Sequence, residues 1–235
     1  MDVIQGAKER ARAEVAQAIK EQAREHLATE GPGRLSLRAV ARELGMVSSA
    51  LYRYFPSRDD LLTALIVDAY DAIGRAAESA YGEAGDAPAW ETWQTVCAAV
   101  RAWALAHPHE YALIYGSPVP GYDAPQDTVA PASRVALVLL NVLETAHRAG
   151  TLTLTETGGE ADAAAVLSPD VHGLLAGRDL PASAVTAAAA AWAQLFGLVS
   201  FEVLGQFNRV IEDREALFAQ GARALARQVG LSPQT

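Results

Sequence analysis

Cysteine is almost absent from these 235 residues: Cys97 stands alone. A single thiol closes no internal bridge, so a disulfide framework is excluded, a reducing compartment is expected, and Cys97 itself belongs in the core. The start of the chain, Met1-Asp2-Val3-Ile4-Gln5-Gly6-Ala7-Lys8-Glu9-Arg10, lacks the unbroken apolar run of a secretion signal. A cytoplasmic protein is therefore expected. The most membrane-like segment, Ala184 to Phe207, is interrupted by Thr186, Gln194, Ser200 and Glu202 and leans on alanine. It reads as a buried helix, and no membrane partner is expected. Strand patterns are scarce too. Thr151-Leu152-Thr153-Leu154-Thr155 alternates, but a lone strand has nothing to pair with and is expected as a loop. No internal repeat occurs, and the alanine run Ala187 to Ala191 suits a helix. Also missing are a Gly-rich phosphate loop, a nucleophile elbow, metal-ligand spacing and paired carboxylates, so neither an enzyme nor a cofactor is expected. His107 and His109 flank Pro108 without Cys or carboxylate spacing around them, and no metal site is assigned; His26 is read as a packed or surface side chain.

What remains is a folded chain, 51% apolar and 20% charged. Its formal charge of −9 would ordinarily oppose nucleic acid, but the charge is uneven. Residues 1–60 carry a net +1 and the remainder −10, as suits a near-neutral module that approaches phosphates and an acidic body that meets something else.

Helical periodicity dominates. Ile4, Ala7, Ala11, Val15, Ala18, Ile19, Ala23 and Leu27 form one stripe expected to be buried along a long first helix that ends at Gly31-Pro32-Gly33. A short helix follows, capped by Ser36, with Leu37, Val40, Ala41 and Leu44 on one face and Gly45 as its stop. A second short helix, Ser48 to Phe55, sets Leu51 and Phe55 one turn apart and leaves Ser48, Ser49, Tyr52 and Arg53 to face outward. Ser57 and Asp60 form a capping-box pattern that opens a helix running to about Tyr81. Further helices are expected at about 88–106, 108–116, 128–149, 162–176, 182–206 and 211–229. The fold class is all-α: an N-terminal three-helix helix-turn-helix domain, residues 1–56, and a larger helical ligand-binding and dimerisation domain, residues 57–235.

Two short helices joined by a Gly-containing turn make a helix-turn-helix. The second fits lengthwise into the ~12 Å major groove, presenting Ser48 and Ser49 to base edges while Leu51 and Phe55 anchor it. Tyr52, Arg53 and Tyr54 then fall near the groove walls, and the free backbone N–H groups where helices begin at Ser36 and Ser57 offer further anion sites. An ordinary helical hairpin with a solvated arginine face fits the same spacing.

The run from Leu37 to Leu62, LRAVARELGMVSSALYRYFPSRDDLL, resembles the DNA-binding segment of TetR-family transcriptional regulators. The resemblance makes Ser48 to Phe55 the recognition helix, Tyr52 and Tyr54 phosphate contacts, and Arg58 the basic residue at the start of the fourth helix. With it, the expected DNA-binding set is Ser36, Arg38, Val47, Ser48, Ser49, Tyr52, Arg53, Tyr54 and Arg58. Two positions depart from the common pattern. Val47 stands where the family often has Ser, so the recognition helix is expected to be capped by Ser48 and to start a residue later; Tyr54 stands where His is frequent. Later in the chain, His107 to Tyr122 and Trp192 to Glu202 resemble the regulatory domain of a TetR branch named for a Trp-His-Gly motif, with Phe196 at the apparent His position.

Reading two half-sites on double-stranded DNA requires two copies, so a homodimer is expected. Trp192, Phe196, Val199 and Val203 on one helix, with Phe218, Ala222 and Leu225 on the next, are the expected interface; the alternative is that both stripes only finish the interior of one chain. A small-molecule pocket is expected among Trp93, Cys97, Trp103, Tyr111, Tyr115 and Trp192. Glu202 is either paired across the dimer or a polar group in that pocket. The leading expectation is a ligand-responsive, homodimeric repressor on a palindromic operator; the alternatives are a helical dimerisation protein with a non-functional DNA module and, least of all, an enzyme.

Overall fold

The computed structural model describes residues 2–154 and 159–233. Among these every regular element is helical, as the periodicity requires. The first helix, α1, covers Asp2–Glu30 and ends where Gly31 takes a positive φ. It is followed by α2, Leu37–Glu43, α3, Ser48–Leu51, and α4, Arg58–Ala84. Two more follow, α5 (Ala89–Ala106) and α6 (Pro108–Tyr115). After a 3-10 turn at Gln126–Thr128 comes α7, Val129–Arg148.

The expected helix over 162–176 is two, α8 (Glu160–Ala165) and α9 (Pro169–Leu175). Proline disfavours helical backbone at the residue before it, and Ser168 instead caps α9 by accepting from the Val171 N–H at 3.3 Å. The last two helices are α10, Ala182–Val203, and α11, Arg214–Gln228. The start of α11 is set by Asp213, whose Oδ1 accepts from the Ala216 N–H at 2.8 Å. Thr151–Leu154 is neither helix nor strand, and the Thr153 N–H donates to the Gly230 carbonyl at 2.9 Å. Thr155 lies outside the described residues.

The chain forms two compact units. One holds the chain through Tyr70 together with His107–Pro131; the other holds Asp71–Ala106 together with Ala132 onward. This division by packing runs elsewhere than the boundary expected at residue 56. The first turns of α4 share a hydrophobic cluster with α6 and the following loop: Leu61, Leu62 and Ile66 with Leu113 and Val119.

In the first unit, Ile19, Ala23 and Leu27 of α1 join Leu37, Val40, Ala41 and Leu51 in that cluster. Polar groups fasten its rim. Asp68 of α4 takes Lys20 at 2.7 Å and Arg24 at 2.7 Å, while Arg24 also reaches Glu110 of α6 at 3.4 Å. The α1 stripe is shorter than expected. Ala7, Ala11 and Ala18 are exposed and burial begins at Val15, because α2 and α6 pack on the later turns of α1.

In the second unit, α11 packs against both α5 and α10. Leu198 of α10 packs over Gly221 of α11: a Cβ there would lie 2.7 Å from Leu198 Cδ1, the movable end of that side chain. Arg101 of α5 donates to both carboxylate oxygens of Glu202 on α10, at 2.8 and 2.7 Å, and its guanidinium lies over the Phe218 ring. Glu202 is thus paired within its own chain. Elsewhere in this unit Arg134 bridges Asp71 and Glu78 of α4, and its hydrogen bonds hold the Glu78 carboxyl below the usual carboxylate range. Burial pushes the Cys97 thiol up, in keeping with a core position.

Removing one partner of a buried ion pair strands the other. Arg101→Ala is expected to destabilise the protein by about 3 kcal/mol in urea unfolding, whereas the Arg101→Met/Glu202→Met double variant should fall within about 1 kcal/mol of the parent. Equal losses for the two variants would show that side-chain packing, not the stranded carboxylate, sets the cost.

Candidate DNA-binding site

The turn between α2 and α3 sets the geometry. Ser36 opens α2 by accepting from the Ala39 N–H at 3.4 Å. At the other end Gly45 has φ +65°, its N–H donates to the Arg42 carbonyl at 3.1 Å, and the Met46 N–H donates to the Ala41 carbonyl at 2.8 Å. This pair of bonds is a Schellman cap, which needs a residue in left-handed backbone and so favours glycine.

The chain leaves the turn through Val47, extended at φ −70° and ψ 137°, and Val47 is itself the N-cap residue of α3. The expected cap at Ser48 is therefore corrected. The Val47 carbonyl accepts from the Ala50 N–H at 2.9 Å, so Ser48 is already inside the helix. The α-helical part also stops at Leu51 rather than Phe55. Arg53 and Tyr54 then donate to carbonyls three residues back, a tighter winding that carries the turn forward until the Phe55 N–H closes on the Leu51 carbonyl at 3.1 Å.

Leu51 is fully buried and Phe55 half-buried against the same cluster, as the spacing required. On the other side Val47 is 70% exposed, Tyr52 42% exposed, and Ser49 and Arg53 are also exposed; Ser48 is half-buried. Arg38 of α2 is exposed as well. These side chains form one hydroxyl-rich, cationic and partly apolar surface, which carries the donors, acceptors and methyl groups that base edges and phosphates can meet.

Tyr54 does not share that exposure. It is half-buried on the core cluster, with the Arg12 guanidinium 5.5 Å above its ring, while Arg12 Nη2 donates to the Arg53 carbonyl at 3.2 Å. Arg12 is the residue that the sequence reading missed. It lies 41 positions from Arg53, and no local spacing marks it.

Arg58 is also occupied. Its Nη2 donates to the Pro32 carbonyl at 2.8 Å and its Nη1 meets Asp59 at 3.2 Å, so it ties the start of α4 to the turn after α1. Ser57 Oγ accepts from the Asp60 N–H at 3.1 Å and donates to the Asp60 carboxylate at 2.7 Å. With Asp59 and Asp60 in its first turn, the α4 start is a poorer anion site than the α2 start, whose first turn holds no acid.

The expected pocket residues fall in different units. Tyr111 and Tyr115 belong to the first, stacked at 5.2 Å, with Tyr70 edge-on to Tyr115 at 5.9 Å; burial pushes the Tyr115 hydroxyl up. Trp93, Cys97, Trp103 and Trp192 belong to the second. Of the expected dimer stripe, Phe196, Val199, Phe218, Ala222 and Leu225 are buried within the single chain, because α10 and α11 close on each other and on α5. Trp192 and Val203 are half-buried. Among the described residues no group of three or more His, Cys, Asp or Glu stands together as a metal site would.

A core-rooted short helix after a glycine turn, its far side exposed, defines a helix-turn-helix module of the kind that regulators carry beside a helical body. Comparison with known proteins gives the family. Residues 19–65 match the family described as bacterial regulatory proteins, tetR family, and residues 93–225 match the tetracyclin repressor-like C-terminal domain. The chain is 36% identical over 228 residues to the HTH-type transcriptional regulator Rv1816 of Mycobacterium tuberculosis, covering 94% of each. It resembles the crystal structure of the regulatory protein SCO4313 at TM-score 0.77 and 37% identity, over 92% of this chain and 97% of that one. A Rhodococcus sp. RHA1 structure of unknown function shares the fold at TM-score 0.68 and 23% identity, over 92% of this chain and 95% of that one. The chain belongs to the TetR family of transcriptional regulators. The matched C-terminal domain is described without reference to the Trp-His-Gly branch.

Because Arg53 is free at the surface and Arg58 is spent on Pro32, the two should differ in DNA binding. Arg53→Ala is expected to lower the slope of log affinity against log salt by about one, and Arg58→Ala to weaken binding with the slope unchanged. Gel-shift titrations between low and moderate salt measure both; equal slopes for the two variants would reverse these roles.

Proposed function

We propose that this TetR-family regulator binds a palindromic operator as a homodimer and represses transcription until a small-molecule effector releases it. The observation that carries the reading is the core-rooted α3 with Val47, Ser48, Ser49, Tyr52 and Arg53 on its outward side. Serine hydroxyls meet base edges, Val47 suits a thymine methyl, and Tyr52 and Arg53 donate to phosphates. Ser36 and Arg38 support the backbone contact from α2. In this reading Tyr54 and Arg58 position the module instead of touching DNA. No reaction is assigned to the protein, and its place of action is the cytoplasm.

A palindrome needs the second copy. The stripe once expected to supply the contact is used by the chain's own core, so the interface falls to apolar side chains left outside it. Phe201 is 54% and Leu204 51% exposed at the end of α10, with the Phe207 ring tilted against Phe201 at 5.6 Å. An effector bound in the body acts by favouring one separation of the two recognition helices, through α4, the helix whose residues belong to both units. A preference of ~1 to 3 kcal/mol between separations changes operator affinity about five- to 150-fold.

Phe201→Glu and Leu204→Glu should each sediment as a folded monomer, because these side chains are exposed in the single chain; a persisting dimer moves the interface elsewhere. Selection from random duplexes should return an inverted repeat whose half-site centres lie about one helical turn, or a multiple of it, apart. A lone half-site would overturn the dimeric reading.

A further inference from the structure

We propose that the second unit binds a neutral, carbonyl-bearing apolar molecule whose oxygen accepts hydrogen bonds from the indole Nε1–H groups of Trp93 and Trp192. This rests on the effector reading above and names the chemistry of that effector.

Both Nε1 atoms are shielded from solvent and have no hydrogen-bond partner among the described residues. Trp93 is fully buried; Trp192 is half-buried and marks the edge of the site toward solvent. An indole N–H only donates, and roughly 90% or more of buried polar groups in folded proteins are paired. Two such donors left open in one unit point to an acceptor that comes from outside the chain.

Helix geometry places the two donors together. Arg101 lies over Phe218 and Arg227 over Trp90, so α11 runs opposite to α5. Gln194 bonds Gln228 and Leu198 faces Gly221, so α11 also runs opposite to α10. Hence α5 and α10 run the same way, matched where Arg101 meets Glu202. Counting back at 1.5 Å per residue, Trp93 lies about 12 Å before Arg101 and Trp192 about 15 Å before Glu202, nearly level. At about 100° per residue, the two are turned about 80° from the facing pair in opposite senses, which brings both to the same side of α5 and α10.

The surroundings select the ligand's charge. One turn onward on that side stand Cys97 and Phe196, both uncharged. Arg101 is committed to Glu202 through two hydrogen bonds. A carboxylate would lose its hydration beside these uncharged side chains, with Arg227 held over Trp90, whereas a carbonyl oxygen has two lone pairs for two donors and no charge to desolvate.

The test uses full-length protein with its four tryptophans 15N-labelled at the indole, each signal assigned by a single Trp→Phe variant. It is titrated with hexan-2-one, hexanoate and hexane. Hexan-2-one should move the Trp93 and Trp192 indole protons downfield and leave Trp90 and Trp103 in place; Trp192→Phe should weaken its binding at least fivefold, and hexanoate should not bind. Hexan-2-one and hexane shifting the indoles alike would overturn the acceptor claim and leave the effector reading standing. Hexan-2-one held by both indoles with operator affinity unchanged in a gel shift would keep the site and overturn the effector reading. No response of any tryptophan to any probe would overturn the site.

Discussion

Burial of Leu51 is the constraint on which the DNA-binding module depends. A helix as short as Ser48–Leu51 does not hold itself together in water, since so few turns never recover the cost of nucleation. It persists because one side chain is driven fully into a cluster built from α1, α2 and α4, and because Gly45 delivers the chain at the right angle. Everything useful about α3 follows from that inward anchor. Val47, Ser49, Tyr52 and Arg53 stay exposed, and the proposed function turns them to the groove.

The same logic explains the positioning groups around α3. Arg12 holds the Arg53 carbonyl and covers the Tyr54 ring, while Arg58 holds the Pro32 carbonyl. Neither spends its charge on a carboxylate alone: Arg12 bonds the Arg53 carbonyl, and Arg58 adds a second donor to the Pro32 carbonyl, which already accepts from the Leu35 N–H. Cations in a DNA-binding module therefore divide into those that shape the surface and those that form it, and what the guanidinium bonds separates the two. Arg12 and Arg58 each hold a backbone carbonyl, whereas Arg38 and Arg53 stand exposed.

What was legible in the sequence was local. Gly45, Ser36, Ser57 and the spacing of Leu51 and Phe55 act within a few residues of themselves, and each does in the structure what its type and position imply. What was not legible joins distant positions. The Arg12 to Arg53 contact, the Arg101–Glu202 pair and the burial of Phe196 and Phe218 depend on which helix faces which, and periodicity gives a face without naming its partner. The end of α1 shows the limit from the other direction: Ala7 and Ala11 keep the apolar period, yet burial needs an opposing surface, and α2 and α6 meet only later turns.

The α10 stripe carries that point into function. Apolar residues at helical spacing serve a monomer core and a dimer seam equally well, so amphipathicity alone cannot say which. Burial decides. Val199 and Leu195 are fully enclosed by the single chain, while Phe201 and Leu204, one turn further on, are left half-exposed or more with an aromatic neighbour at Phe207. Glu202 follows Phe201 in sequence but shares the inward face of Leu195 and Val199, where it meets Arg101. The ion pair fixes the rotation of α10 about its axis, since moving Glu202 outward would leave Arg101 without its partner. Fixing that rotation keeps the enclosed residues enclosed and Phe201 and Leu204 turned out, so in the proposed dimer a polar contact inside one chain selects the apolar side chains open to the second.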